Sequence, residues 1–279
     1  MGNLFFTAGD GAKISYDDFS IGSGDVPLLC LAGLTRDKHD FDYLKRKISN
    51  VRLIRMDYRG RGESDWTGPD SYTVPQEAAD ALALLDHLGL QKAAILGTSR
   101  GGLIAMFLAA TAKDRLMGIC FNDVGPKLER AGLEAIIDYV GRRPVADTLQ
   151  DVAHRLRQNR KGFGKVPARR WEEEAVRQYR QGDGRVELNY DPDLRESFLA
   201  AMKDLDNADA WPLFDACDGL PLALIHGANS DLLSDATVAE MQERRPDMLY
   251  AKIPDRAHIP FLDEPESVAL IHDFLAKLR

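Results

Sequence analysis

The sequence predicts an α/β protein, a doubly wound and mostly parallel sheet with one inserted helical segment. Three observations predict it. Short apolar runs of strand length recur along the chain and are apolar on both faces, as strands buried between two helical layers must be. Helix-like segments separate them, which is the connection parallel neighbours require. The alternation then breaks once, over residues 126–208, where polar amphipathic patterns replace the strand runs.

Taken in order, the opening "MGNLFFTAGDGAKISYDD" has no basic region leading into a long apolar stretch. Nowhere does the chain offer the roughly 20 consecutive apolar residues of a membrane span. A soluble, cytoplasmic protein with no membrane partner is expected. Met1-Gly2-Asn3 begins like a myristoylation signal, but Phe6 stands where Ser or Thr is needed. "IGSG", residues 21–24, lacks the third glycine of a nucleotide loop and reads as a hairpin turn. The strand runs are "VPLLCLAG" (26–33), "VRLIRMDY" (51–58), "KAAILGTS" (92–99), "LMGICFNDV" (116–124), "PLALIHGA" (221–228) and "MLYAKIP" (248–254). Between the second and third, Thr73 and Gln76 form a capping box. Ala78, Ala81, Leu82, Leu85 and Leu88 then share a helical face, and Gly89 stops the helix. The last segment repeats the pattern with Val268, Ile271, Phe274, Leu275 and Leu278. The expected division is a core of residues 1–125 and 209–279 around a helical cap of residues 126–208, in which no strand run stands out.

Composition narrows the function. A net charge of −8 argues against a nucleic-acid partner. The cap is the exception: residues 141–185 carry twelve Lys or Arg against six Asp or Glu. Most of these are expected on solvated helix faces, and a few could line a pocket for an anionic substrate. Cys30, Cys120 and Cys217 are three cysteines at no metal-ligand spacing, two of them in apolar runs, and read as buried free thiols in a reducing compartment.

The chemistry centres on "ILGTSRGG", residues 95–102. A strand ending in Gly-x-Ser-x-Gly and passing straight into an apolar helix predicts a nucleophile elbow, with Ser99 lifted clear of the sheet. The alternative is a serine cap with glycines that only let helix and sheet approach. A serine hydroxyl is a poor nucleophile at neutral pH and needs a base, which needs an orienting acid. His258, in a loop after the last strand run, falls on the same sheet edge as Ser99. His226, at a strand end, reads as packed. For the acid, Asp231 follows a strand in the order Ser, Asp, His and is favoured. Asp123, which also ends a strand near Ser99, is the rival.

These residues, with "LAGL", "DYRGRGESD", "IHGANSD" and "AHIP", resemble the α/β-hydrolase family in its form with a helical cap, over nearly the whole chain. The resemblance implies an oxyanion hole built from the backbone amides of Leu34 and Arg100. It also implies that the Asp57–Asp65 loop buttresses the site, its glycines and arginines being structural. Two positions depart from the family pattern: Ala32 stands for the usual His before Gly33, and Ala257 for the usual Gly before His258. Gly33 is expected to tolerate substitution badly if it shapes the oxyanion loop, and the Arg100 side chain either pairs with a cap carboxylate or reaches the substrate.

The activity implied is hydrolysis of a small-molecule ester or lactone through an acyl-enzyme, with no metal and no cofactor. A serine-dependent carbon–carbon bond hydrolase acting on an anionic ring-cleavage product is the alternative, although Ile259-Pro260 follow the histidine where that group tends to place an aromatic residue. A non-catalytic ligand-binding relative stands lower, because the candidate serine, base and acid are all present.

Overall fold

The computed structural model describes residues 4–22, 24, 26–203 and 209–279. Met1-Gly2-Asn3, Ser23 of the "IGSG" turn and the last residues of the expected cap, 204–208, lie outside them. In chain order the strands are β1 (Leu4–Thr7), β2 (Lys13–Ile21), β3 (Val26–Leu31), β4 (Val51–Met56), β5 (Ala93–Thr98), β6 (Leu116–Asn122), β7 (Tyr179–Gln181), β8 (Val186–Leu188), β9 (Leu222–Gly227) and β10 (Leu249–Ile253). The helices are α1 (Asp42–Lys45), α2 (Val74–His87), α3 (Arg100–Thr111), α4 (Arg130–Tyr139), α5 (Leu149–Asn159), α6 (Ala168–Gln178), α7 (Leu194–Lys203), α8 (Trp211–Asp215), α9 (Asp235–Arg244) and α10 (Pro265–Ala276).

All six predicted strand runs are strands of one eight-stranded sheet, ordered β1-β2-β4-β3-β5-β6-β9-β10. From β4 to β10 every pairing is parallel, whereas β1 and β2 are antiparallel additions at one edge. The sheet is apolar on both faces because both are covered. Leu29 and Leu31 of β3 face a cluster that includes residues of α2, α3, α8 and α9. Leu28 and Cys30, one residue out of phase, face α1 and α10. Cys30, Cys120 and Cys217 are buried free thiols.

Several local expectations are corrected. β2 and β3 do not pair as a hairpin, because β4 lies between them. The capping box on α2 is half made. Thr73 accepts from the Gln76 amide at 3.3 Å, but the Gln76 side chain turns to Asp80. The segment between β6 and β9 is mostly helical, α4 to α8, but also carries the short antiparallel pair β7–β8. Three-residue strands are too short for their period-2 pattern to stand out against helical neighbours.

Candidate active site

Strand β5 ends at Thr98, and the chain turns through Ser99 directly into α3. Ser99 sits at φ 49°, ψ −110°, a conformation in which L-residues are strained. The glycines on either side make the turn possible by close approach. A Cβ on Gly97 would lie 2.6 Å from the Gly101 backbone, and one on Gly101 would lie 2.1 Å from the Leu31 carbonyl oxygen. The turn is pinned by the Ser99 amide donating to Asn122 O at 3.0 Å and the Gly101 amide donating to Ala32 O at 3.1 Å.

The structure brings Ser99 and His258 together. Ser99 Oγ lies 3.0 Å from His258 Nε2, and His258 Nδ1 lies 2.8 Å from Asp123 Oδ2. A carboxylate can only accept, so Nδ1 carries the ring proton and Nε2 accepts from the serine hydroxyl. The loop holding His258 is tied to the sheet by Asn122, whose Nδ2 donates to Thr98 Oγ1 and to Pro260 O.

The expectation that Asp231 meets the histidine is therefore corrected. Asp231 lies in the loop after β9 with its side chain exposed, and the carboxylate beside His258 is that of Asp123, fully buried at the end of β6. Asp123 is also held by the Gly227 amide on Oδ1 and by Ser230 Oγ on Oδ2, both at 2.7 Å. The "NSD" loop thus contributes its serine to this network rather than its aspartate. His226 is packed as expected, with ring nitrogens near Tyr250 Oη and Leu233 O.

Of the two amides expected to face an oxyanion, that of Arg100 opens α3 and has no intrahelical acceptor. That of Leu34 lies in a turn closed by the Arg36 amide on Gly33 O at 3.1 Å. Arg61, fully buried, donates from Nε to the Leu34 carbonyl at 2.9 Å and so fixes the next peptide of this turn. Gly33 departs from its expectation. It does not sit in the left-handed region, and a Cβ there would meet Arg36 Cγ at 3.4 Å and Ser99 Cβ at 4.0 Å. A side chain at Gly33 is thus added beside the serine without demanding a backbone change.

The Arg100 side chain turns away from the site. Its Nε donates to Glu77 Oε2 at 2.7 Å, a carboxylate on α2 of the core rather than on the cap. Glu77 also pairs with Arg61 at 2.8 Å. Burial alone would raise the Glu77 carboxyl, but Arg100 and Arg61 hold it below the ordinary value. The Asp57–Asp65 loop is a buttress of the same kind, with Arg59 on Asp80 and Asp10, and Asp57 on Lys38.

Ser99 and His258 open on a cavity of about 70 Å³ under the cap. Its walls are mixed: apolar side chains such as Ile136, Tyr139, Phe163, Trp171 and Phe261 alternate with Thr35, Arg36, Arg160, Glu174 and Gln178. Phe163, Trp171 and Phe261 pack edge to face or tilted, with centroids 5.5–6.3 Å apart. Trp66 is half exposed, and Trp211 packs edge to face with Phe214 elsewhere. One charged pair lines the cavity, Arg36 from the Leu34 turn with Glu174 of α6 at 2.5 Å, and Arg170 of α6 pairs with Asp263 nearby, its guanidinium over the Phe261 ring. Burial opposes both charges of the first pair. Asp40 and Glu174 nevertheless raise Arg36 well above its ordinary value, and Arg36 and Arg177 hold Glu174 below its own.

The arrangement can withdraw a proton from the serine, hold the resulting imidazolium against a buried carboxylate, and offer amides to a developing oxyanion. Comparison with known proteins gives the family of the fold. Residues 26–265 match the family model described as alpha/beta hydrolase fold. A 3-hydroxybutyrate-oligomer hydrolase of Cupriavidus necator is 32% identical over 94% of this chain and 92% of its own. The sn-1-specific diacylglycerol lipase ABHD11 of Danio rerio is 25% identical over 91% of this chain and 79% of its own. Among solved structures, an alpha/beta hydrolase from Novosphingobium aromaticivorans superposes with a TM-score of 0.91 at 35% identity, covering 99% of this chain and 98% of that one.

Proposed function

The chain belongs to the α/β-hydrolase fold family, and from that premise we propose that it is a serine hydrolase cleaving small esters or lactones of hydroxy acids. One observation carries the reading: Ser99, at the strand–helix elbow, is hydrogen-bonded to His258, which is hydrogen-bonded to buried Asp123, and both Ser99 and His258 line one cavity. In this reading His258 Nε2 takes the Ser99 proton as Oγ attacks the ester carbonyl. The carbonyl oxygen becomes an oxyanion facing the Leu34 and Arg100 amides. The imidazolium returns its proton to the leaving alkoxide, and a water attacks the acyl-enzyme by the same path, releasing the acid and restoring Ser99. The substrate preference is supported by the relative that acts on 3-hydroxybutyrate oligomers and by the small volume under the cap.

The test treats wild type and Ser99→Ala with a fluorophosphonate, reads intact mass, and follows hydrolysis of short p-nitrophenyl esters and of linear 3-hydroxybutyrate dimer. A single adduct and turnover in wild type only is the expected result. Labelling without ester turnover would move the assignment to carbon–carbon hydrolysis, and no labelling would move it to a ligand-binding relative.

A further inference from the structure

Most charged side chains around the cavity are neutralised. Arg36 is bound to Asp40 and Glu174, Arg170 to Asp263, and Glu174, which itself lines the cavity, is consumed by Arg36. Arg160 is different. It follows the last residue of α5, lines the cavity with Ser99 and His258, and is half-buried. Among the described residues no carboxylate lies within ion-pair distance of it, and its guanidinium carbon stands 5.6 Å from the centre of the Tyr139 ring. A helix C-terminus favours a cation, but that alone would be met by a side chain pointing to solvent. Here the residue lines the cavity that holds Ser99 and His258, its only near charge-stabilising neighbour among the described residues is the Tyr139 ring, and an anion brought in by a ligand would give the half-buried cation a partner.

We propose that Arg160 is the specificity residue of this site and binds a free carboxylate on the substrate. The planar two-oxygen carboxylate fits the guanidinium fork. A phosphate dianion would call for a second free cation, and Arg36 is already committed to Asp40 and Glu174. The substrate class narrows accordingly, from hydroxy-acid esters in general to those that keep an ionised acid end. The inference rests on the hydrolase reading for the identity of the ester.

The experiment separates the two by working in the catalytically silent Ser99→Ala protein. Binding of the linear 3-hydroxybutyrate dimer and of its primary amide, its neutral isostere, is measured by calorimetry. The expected result is that the acid binds at least tenfold more tightly than the amide. Adding Arg160→Met should remove the preference, and adding Arg160→Lys should restore part of it. Equal binding of acid and amide, binding of neither, or a preference that survives Arg160→Met overturns the proposal. Circular dichroism of each variant shows that the fold is retained. A preference for the acid in Ser99→Ala, together with no hydrolysis of the dimer or of p-nitrophenyl esters by wild type, would sink the hydrolase reading and leave Arg160 as a carboxylate receptor.

Discussion

Asp123 occupies a demanding position. Its φ of 56° is left-handed, a region that aspartate tolerates better than most L-residues. Its carboxylate accepts from an amide, a hydroxyl and an imidazole while wholly buried. If it orients His258, Asp123→Asn can donate to Nδ1 and favour the wrong tautomer. A loss of roughly 10⁴ in kcat is then expected, as for the corresponding change in serine proteases. Asp231→Asn, an exposed change, should stay within about twofold of wild type. Steady-state kinetics of the two variants on one ester decide the point, and the reverse order would return the role to Asp231. In sequence Asp231 is the favoured acid, yet Asp123 also follows a strand and also lies between Ser99 and His258, so chain order does not exclude it. What separates them is that β6 neighbours β5 in the sheet, which brings Asp123 to the serine's side.

At the scale of elements, Glu77 joins α2 to the Asp57–Asp65 loop through Arg61 and to the start of α3 through Arg100. Arg61 in turn holds the Leu34 carbonyl, so the turn carrying one candidate oxyanion amide rests on this cluster. Glu77→Gln leaves both guanidiniums without their carboxylate in a buried place, for which about 3 to 5 kcal/mol of stability is the expected cost. Urea denaturation should show a lower midpoint with an unchanged slope. A midpoint like that of wild type would mean that water reaches the cluster. The family resemblance implies a structural role for this loop, and its Arg59 and Arg61 are buried in ion pairs. The partner on α2 is not visible in sequence, because Glu77 sits in the first helical turn, where acidic residues are ordinary.

At the scale of the whole molecule, the cap is docked by polar ties as well as by the cavity wall. Arg36 meets Glu174, Tyr43 meets Glu173, and Asn189 donates to Asp37 Oδ2 at 3.0 Å. Burial, followed by the charges of Asp57 and Asp40, pushes the Asp37 carboxyl up to about 7. Between roughly pH 4 and pH 7 the folded protein therefore binds a proton that the unfolded chain does not. The stability due to Asp37 is full below the unfolded value and is lost as pH rises through 7. Asp37→Asn removes that slope: the melting temperature of the variant minus that of wild type should rise from pH 5 to pH 8, whatever its offset. Parallel curves would show that Asp37 is ionised throughout.

The sequence by itself determined the sheet strands from β3 to β10 outside the cap, the elbow at Ser99 and the histidine of the site. Each is written in local pattern: apolar runs, glycine spacing, a loop after the last strand. Only the tertiary structure decided which aspartate meets His258, where Arg100 turns, and that Arg160 lines the cavity with no carboxylate at ion-pair distance among the described residues. These depend on which strands are neighbours and on how the cap lies over the sheet edge. Both are set by contacts between segments far apart in the chain, and periodicity within one segment carries no record of them.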